Sequence, residues 1–221
     1  MNSKLKTGLS IAGGLIVTVL LTILVMPYTT KAHSPEGLVT FQQNGIGLEV
    51  AYNRPYKKER QIFGKLVPYN EVWRTGANEA TTFETTSDIL VDGSLLKAGK
   101  YTLWTIPMEN SWKVIFNEQM YPWGIDMDKK AYRDAQFDAL VLERPVNKLA
   151  EVTEQFTISF EEAGDFISME LVWDQVRIEI PIKKEETPVS ASTNTLISEQ
   201  NYSSSSIRFN VTSMLSLVAL E

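Results

Sequence analysis

From residue 46 to residue 182 apolar and polar positions alternate with a period of two, segment after segment. Leu48, Val50 and Tyr52 alternate with Glu49, Ala51 and Asn53; Trp112, Val114 and Phe116 with Lys113, Ile115 and Asn117; Phe156, Ile158 and Phe160 with Thr157, Ser159 and Glu161. Met169, Leu171 and Trp173 are followed across Asp174-Gln175 by Val176, Ile178, Ile180 and Ile182. Such alternation puts successive side chains on opposite faces of a strand, so each segment predicts a strand with one buried face. Asp92-Gly93 and Lys97-Ala98-Gly99-Lys100 carry turn signals that predict two hairpins, and Pro107 and Asn110 separate the strand ending at Ile106 from the one opening at Trp112. Only residues 126–137, DMDKKAYRDAQF, read as a helix, of three turns at most. Many short strands with one short helix predict an all-β antiparallel β-sandwich.

The pattern breaks at the N-terminus. After Lys4 and Lys6 the chain runs uncharged from Leu9 to Met26. Eighteen residues at about 1.5 Å each span roughly 27 Å, close to the ~30 Å hydrocarbon core of a bilayer, which predicts a transmembrane helix. The two lysines favour a cytoplasmic N-terminus and an extracytoplasmic domain. The run exceeds the usual ~7–15-residue signal-peptide core, which favours a retained anchor; cleavage after Ala32, leaving a periplasmic or secreted domain, is the alternative. Residues 1–32 therefore read as a membrane anchor or signal segment, and residues 33–184 as one β-sandwich domain. From Thr187 to Glu221, Ser, Thr and Asn fill 16 of 35 positions, so residues 185–221 read as a disordered tail.

Composition removes several chemistries. The chain has no cysteine, hence no disulfide or thiol nucleophile, and its one histidine, His33, precedes the first strand. Ser-His-Asp and Cys-His catalysis lack a base within the domain, and a His/Cys zinc site has no ligands there. No cofactor or metal is expected. Residues 33–184 carry 17 Lys/Arg against 23 Asp/Glu, and the only dense basic patch, Lys57-Lys58-Glu59-Arg60, is short and interrupted. That balance argues against a nucleic-acid partner and reads the patch as a solvated loop.

Carboxylate chemistry is the catalytic class left open. Glu71, Glu79 and Glu84 lie near Arg54, Arg74 and Asn78 in sequence. Arg74 and Glu79 flank Gly76, so a turn brings them together as an ion pair, with Asn78 bonding the loop backbone. The candidate contact surface is the connection over residues 54–76 with the turn at residues 74–79, and its binding residues are Arg54, Trp73, Arg74, Asn78 and Glu79. Long ordered connections are often functional; a structural clamp packed by Ile62, Phe63, Leu66 and Trp73 is the competing account. Of the five tryptophans, Trp112 and Trp173 fall on apolar faces, Trp104 alternates with Tyr101 and Leu103, and Trp73 and Trp123 lie in connections. Exposed tryptophans suit stacking on sugar rings or anchoring a protein.

Four blocks are distinctive: YNRPYKKERQIFGKLVPYNEVWRTGANEATTFET (residues 52–85), LLKAGKYTLWTIP (95–107), SWKVIFN (111–117) and LVWDQVRIEIPI (171–182). With them the chain, from about Ser34 to Lys184, resembles a bacterial envelope family catalogued as domain of unknown function 2911. His33-Ser34-Pro35-Glu36 resembles the opening of this domain in anchored members. The resemblance implies an exported domain without an established role and supplies no catalytic residues to carry over. The expected function is thus that of a membrane-anchored, non-catalytic binding or structural module of the cell envelope, its partner an envelope protein or a glycan. A carboxylate-dependent glycan hydrolase and a carbohydrate-binding module are the alternatives.

Overall fold

The computed structural model describes residues 3–43, 45–126, 128 and 130–185. The expected tail beyond Glu185 lies outside the described residues. The order is α1 (Ser3–His33), β1 (Glu36–Gln43), β2 (Ile46–Asn53), β3 (Thr82–Thr85), β4 (Ile89–Val91), β5 (Ser94–Leu96), β6 (Gly99–Pro107), β7 (Ser111–Asn117), a 3₁₀ turn (Ala135–Phe137), β8 (Asp138–Pro145), β9 (Asn147–Ala163) and β10 (Phe166–Lys184). Six strands form one sheet in the order β1-β2-β3-β6-β7-β8, and four form the second, β5-β4-β10-β9. Every strand pair between them is antiparallel. Between the sheets lie the residues that the alternation assigns inward, among them Val50, Val114, Phe116, Phe156, Ile158, Ile178 and Ile180, joined by Phe83 of β3. This is the expected antiparallel sandwich.

α1 contains the apolar run, and its described side chains from Ile11 to Leu24 are all exposed. Those 14 residues make about 21 Å of helix, and among the described residues no helix is long and apolar enough to cross a membrane. The C-terminal end of α1 is fastened to the domain. Lys31 pairs with Glu36 and, at 3.4 Å, with Glu79; the Asn78 side chain donates to the Ser34 carbonyl at 3.4 Å; and the Lys58 ammonium donates to His33 Nδ1 at 3.3 Å.

Three local expectations are corrected. The Asp92-Gly93 hairpin forms between β4 and β5, but Lys97-Ala98 carries the chain from the second sheet to the first, because Asp88 holds it. Asp88 accepts from the Ala98 N–H at 2.8 Å and from Lys97 Nζ at 2.7 Å. The alternation continues across Asp174-Gln175 within a single strand, β10, where a bulge at Asp174 (φ 55°) shifts the register so that both Trp173 and Val176 stay inward. Ile115 and Asn117, assigned to a polar face, are buried. Ile115 packs with Trp104, Tyr121 and Ala80 in a second small core, where the connections before β3 and after β7 cover the outside of the first sheet.

The helix expected at residues 126–137 reduces to the 3₁₀ turn. Asp126 Oδ1 accepts from the N–H groups of Asp128 and Lys130, both at 2.9 Å, and Asp134 Oδ1 caps the turn through the Gln136 N–H at 3.0 Å. Short carboxylate side chains that bond the nearby backbone compete with helix formation.

Tyr52 ties the two sheets together. Its hydroxyl oxygen accepts from the Ile158 N–H at 2.8 Å, and burial holds the phenol above its ordinary pKa. Tyr52→Phe leaves that buried N–H without its partner and is expected to cost about 1–3 kcal/mol in guanidinium melts at neutral pH. Because the folded state holds the phenolic proton more tightly than the unfolded chain, this stabilisation is complete below about pH 10 and disappears as pH rises through the raised value. The alkaline loss of stability is accordingly shallower in the variant; an identical alkaline limb in both proteins contradicts this account.

Candidate functional site

The long connection between β2 and β3 is anchored on both sheets. The Phe156 N–H donates to the Pro55 carbonyl at 2.9 Å and the Lys57 N–H to the Glu154 carbonyl at 2.7 Å, joining it to β9. Trp73 and Thr105 exchange backbone bonds of 2.7 and 2.9 Å, joining it to β6. Between these points Ile62, Phe63 and Val67 enter the main core. Trp73 completes an aromatic cluster there: its ring stacks on Trp173 at 6.0 Å and meets Trp112 and Phe156 edge-on or tilted at 6.0 and 5.1 Å. The clamp account therefore holds for Ile62, Phe63 and Trp73, whereas Leu66 stays exposed.

The same connection forms one wall of an open pocket of about 840 Å³, bordered elsewhere by His33 and Ser34 at the end of α1 and by Ile125, Lys130 and Ala131. Trp73, Trp173, Val67 and Val72 supply its apolar lining. Among the described residues its charged lining consists of Lys58, Arg60, Arg74 and Lys130 against one carboxylate, Glu71. Four cations to one acid reverse the acidic balance of the whole chain, whose net charge is −6.

Arg74 is set by a strained turn. Thr75 has φ 57°, a conformation β-branched residues seldom adopt, and is fully buried. The surroundings over-determine it: its hydroxyl bonds the Thr105 hydroxyl at 3.2 Å, and its carbonyl accepts from the Thr81 hydroxyl at 2.8 Å. At Gly76 a Cβ would lie 3.0 Å from the Asn53 carbonyl oxygen, so only glycine fits without displacement. The Arg74 guanidinium donates to the Trp123 carbonyl at 2.9 Å. Burial lowers its pKa from the ordinary value, partly offset by the charge of Glu79, so Arg74 is a partly desolvated cation on the pocket wall. In such surroundings a charge-assisted bond is stronger than in water.

Of the five residues expected from sequence, Trp73 and Arg74 line the pocket. The other three brace the neighbourhood. Arg54 donates to the Thr157 hydroxyl at 3.1 Å and to the Phe156 carbonyl at 3.4 Å; Asn53 Nδ2 donates to Glu79 at 2.8 Å; Asn78 Nδ2 donates to Asn53 Oδ1 at 3.4 Å. The ion partner of Glu79 is Lys31, while Arg74 bonds a carbonyl, so the expected Arg74–Glu79 salt bridge gives way to a longer-range attraction. Glu84 pairs with Lys100 at 3.2 Å on the first sheet, and Glu71 lies in the pocket, so the three clustered glutamates serve three different places. Glycoside hydrolysis by paired acids takes two carboxylates about 5–10 Å apart. Among the described residues the pocket lining supplies one.

The sequence reading missed Lys58, Arg60, Lys130, His33 and Trp173 as pocket residues. The basic patch at residues 57–60 was the available signal. Lys58, Glu59 and Arg60 are exposed as expected of a solvated loop, but Lys57 pairs with Asp174 at 3.1 Å and donates to the Arg60 carbonyl at 2.7 Å, and this fold of the chain presents Lys58 and Arg60 to the pocket. Lys58 and Glu59 both adopt positive φ, 48° and 58°, a cost borne where the Glu154 carboxylate accepts from the Lys58 N–H at 2.8 Å.

Residues 34–182 match the sequence model of a family described as protein of unknown function (DUF2911). No curated protein and no solved structure matches the chain.

Proposed function

The chain belongs to the DUF2911 family, and on that premise we propose that it is a membrane-anchored, extracytoplasmic binding module whose pocket takes a ligand with an anionic group joined to an apolar body. The observation that carries this reading is the pairing of four cationic side chains with a tryptophan-lined floor in a cavity of about 840 Å³. Ligand sites are commonly concave, mostly apolar and furnished with a few convergent polar groups, and cavities of this volume fall in their size range. Trp73, half-buried and backed by the buried ring of Trp173, offers the apolar body a rigid surface, while Arg74 offers a bidentate fork to a phosphate or carboxylate.

The anchor rests on α1. Its described apolar side chains, Ile11, Leu15, Leu20 and Leu24 among them, are exposed around the helix, an arrangement that suits lipid rather than water. The Thr18 and Thr22 hydroxyls each donate to the carbonyl four residues back at 2.9 Å, which leaves no polar group of either side chain seeking water. With Lys4 and Lys6 at the cytoplasmic end, the sandwich stands on the opposite side of the bilayer.

Titration of the full chain in neutral detergent with phenyl phosphate, and separately with phenyl β-glucoside, tests the pocket. Phenyl phosphate is expected to bind, and Arg74→Ala to weaken it by roughly 10-fold or more, the worth of a charge-assisted bond of about 1.5–3 kcal/mol. Equal affinity for the two probes, or no effect of Arg74→Ala, rules out an anion site; tighter binding of the glucoside points instead to a glycan partner.

A further inference from the structure

We propose that the pocket seats the phosphate headgroup of an anionic lipid from the bilayer that holds the protein. This rests on the anion-binding reading above and on retention of α1 as the anchor. Height is the first argument. α1 is unbroken from Ser3 to His33, so His33, on the pocket wall, follows Met26 by seven helical residues. At about 1.5 Å per residue the wall begins some 10 Å beyond the hydrocarbon edge. A headgroup layer is roughly 5–8 Å deep on each side of the core, and lysine and arginine side chains reach back several ångströms along their stems. The bonds of Lys31 to Glu79, of Asn78 to the Ser34 carbonyl and of Lys58 to His33 keep the pocket at that level.

The pocket's surroundings give a second, independent argument. Leu66 on the lining is 45 % exposed, Trp123 beside Arg74 is 52 % exposed, and Tyr132, next to the lining residue Ala131, is 59 % exposed. Trp123 is held there by its carbonyl, which accepts from Arg74, and the Tyr132 N–H donates to the Gly124 carbonyl at 3.1 Å. A tryptophan, a tyrosine and a leucine around a basic cavity form the composition that settles at a membrane–water boundary. A basic recess at this level matches lipid phosphate in charge, and Val67, Val72 and Ile125 give the glycerol and first acyl carbons an apolar wall. The domain as a whole is acidic, with 17 Lys/Arg to 23 Asp/Glu over residues 33–184, whereas the lining of this recess is basic.

The test reconstitutes the full chain in nanodiscs of phosphatidylcholine with one part in five phosphatidylglycerol, then releases it in native mass spectrometry and counts retained lipids. Wild type is expected to carry phosphatidylglycerol well above its share of the bilayer. Arg74→Ala and Arg60→Ala should each lower that enrichment at least fivefold, and Lys113→Ala, on an exposed position of β7, should leave it unchanged. Phosphatidylglycerol retained equally by all four proteins overturns the proposal, since the lipid is then merely annular. Phenyl phosphate or glycerol 1-phosphate that binds at micromolar concentration in phosphatidylcholine-only discs, and displaces phosphatidylglycerol from the mixed discs, also overturns it. In that case the anion site stands and its ligand is soluble. Failure of both phosphate compounds and of the lipid defeats the anion-binding reading itself.

Discussion

Replacing Trp173 by alanine lowers the stability of the domain by about 3–5 kcal/mol, the range for deleting a large aromatic from a core. Trp173 is buried on β10 with Trp73 stacked at 6.0 Å, Phe63 edge-on at 6.2 Å and Phe156 at 5.9 Å, so truncation removes one member of a mutually packed group. Its indole N–H donates to the Glu154 carbonyl at 3.3 Å, a bond that alanine also loses. The effect is read as a drop in the guanidinium midpoint of the full chain in detergent. Trp173→Phe keeps most of the packing and is expected to cost less than half as much. Because Trp173 also floors the pocket, phenyl phosphate affinity should fall in Trp173→Phe although the fold is retained. A Trp173→Ala protein within 1 kcal/mol of wild type contradicts a cluster that holds the two sheets to the connection.

Gly124→Ala is expected to be the second most damaging change, at about 2–5 kcal/mol. Gly124 has φ 67°, and a left-handed backbone costs a non-glycine residue roughly 1–2 kcal/mol. A Cβ there would also lie 2.9 Å from Trp104 Cη2, 3.2 Å from the Ala80 Cβ and 3.3 Å from the Arg74 Cβ. Trp104 is fully buried and its indole donates to the Thr102 hydroxyl at 2.9 Å, so the ring does not yield readily and overpacking adds about 1–3 kcal/mol. The change presses on the second core and on the backbone of Arg74 together, so affinity for phenyl phosphate should fall along with the melting temperature. Gly93→Ala is the matched control: it has φ 78° but no atom within 4 Å of the added Cβ, and should show the backbone cost alone. Equal losses at the two positions locate the whole effect in φ and deny the close packing beneath Trp104.

Arg74 depends on these neighbours because each constrains a different part of it. Thr75 and Gly76 set the backbone direction that follows it, Gly124 lies against its Cβ, and the Trp123 carbonyl holds one guanidinium nitrogen. A cation fixed in this way loses little side-chain freedom on binding, which is the physical content of a preorganised site. The strain at Thr75, Lys58 and Glu59 falls on the two limbs of the connection that bound the pocket. Strained backbone persists only where surrounding bonds enforce it, as the Thr81, Thr105 and Glu154 bonds do here.

What the linear chain determines is what depends on a residue and its near neighbours. Period-two alternation fixes the inward sets of β2, β7, β9 and β10, since one buried face is enough to select them. The Asp92-Gly93 turn is equally local, and the blocks that carry the family resemblance lie within the residues matched by the family's sequence model. Tertiary packing decides the rest. Ile115 reads as an outward residue until a connection of more than ten residues folds over it, and Lys97-Ala98 reads as a hairpin until Asp88 sends the chain to the other sheet. Glu79 lies five residues from Arg74 yet pairs with Lys31, 48 residues away, because the end of α1 docks there. The pocket belongs wholly to this second class: Lys58, Arg74, Lys130 and Trp173 converge from four separated stretches. Hydrophobic periodicity reports which side of a strand leaves water, and the meeting of distant side chains is set only when whole layers close on one another.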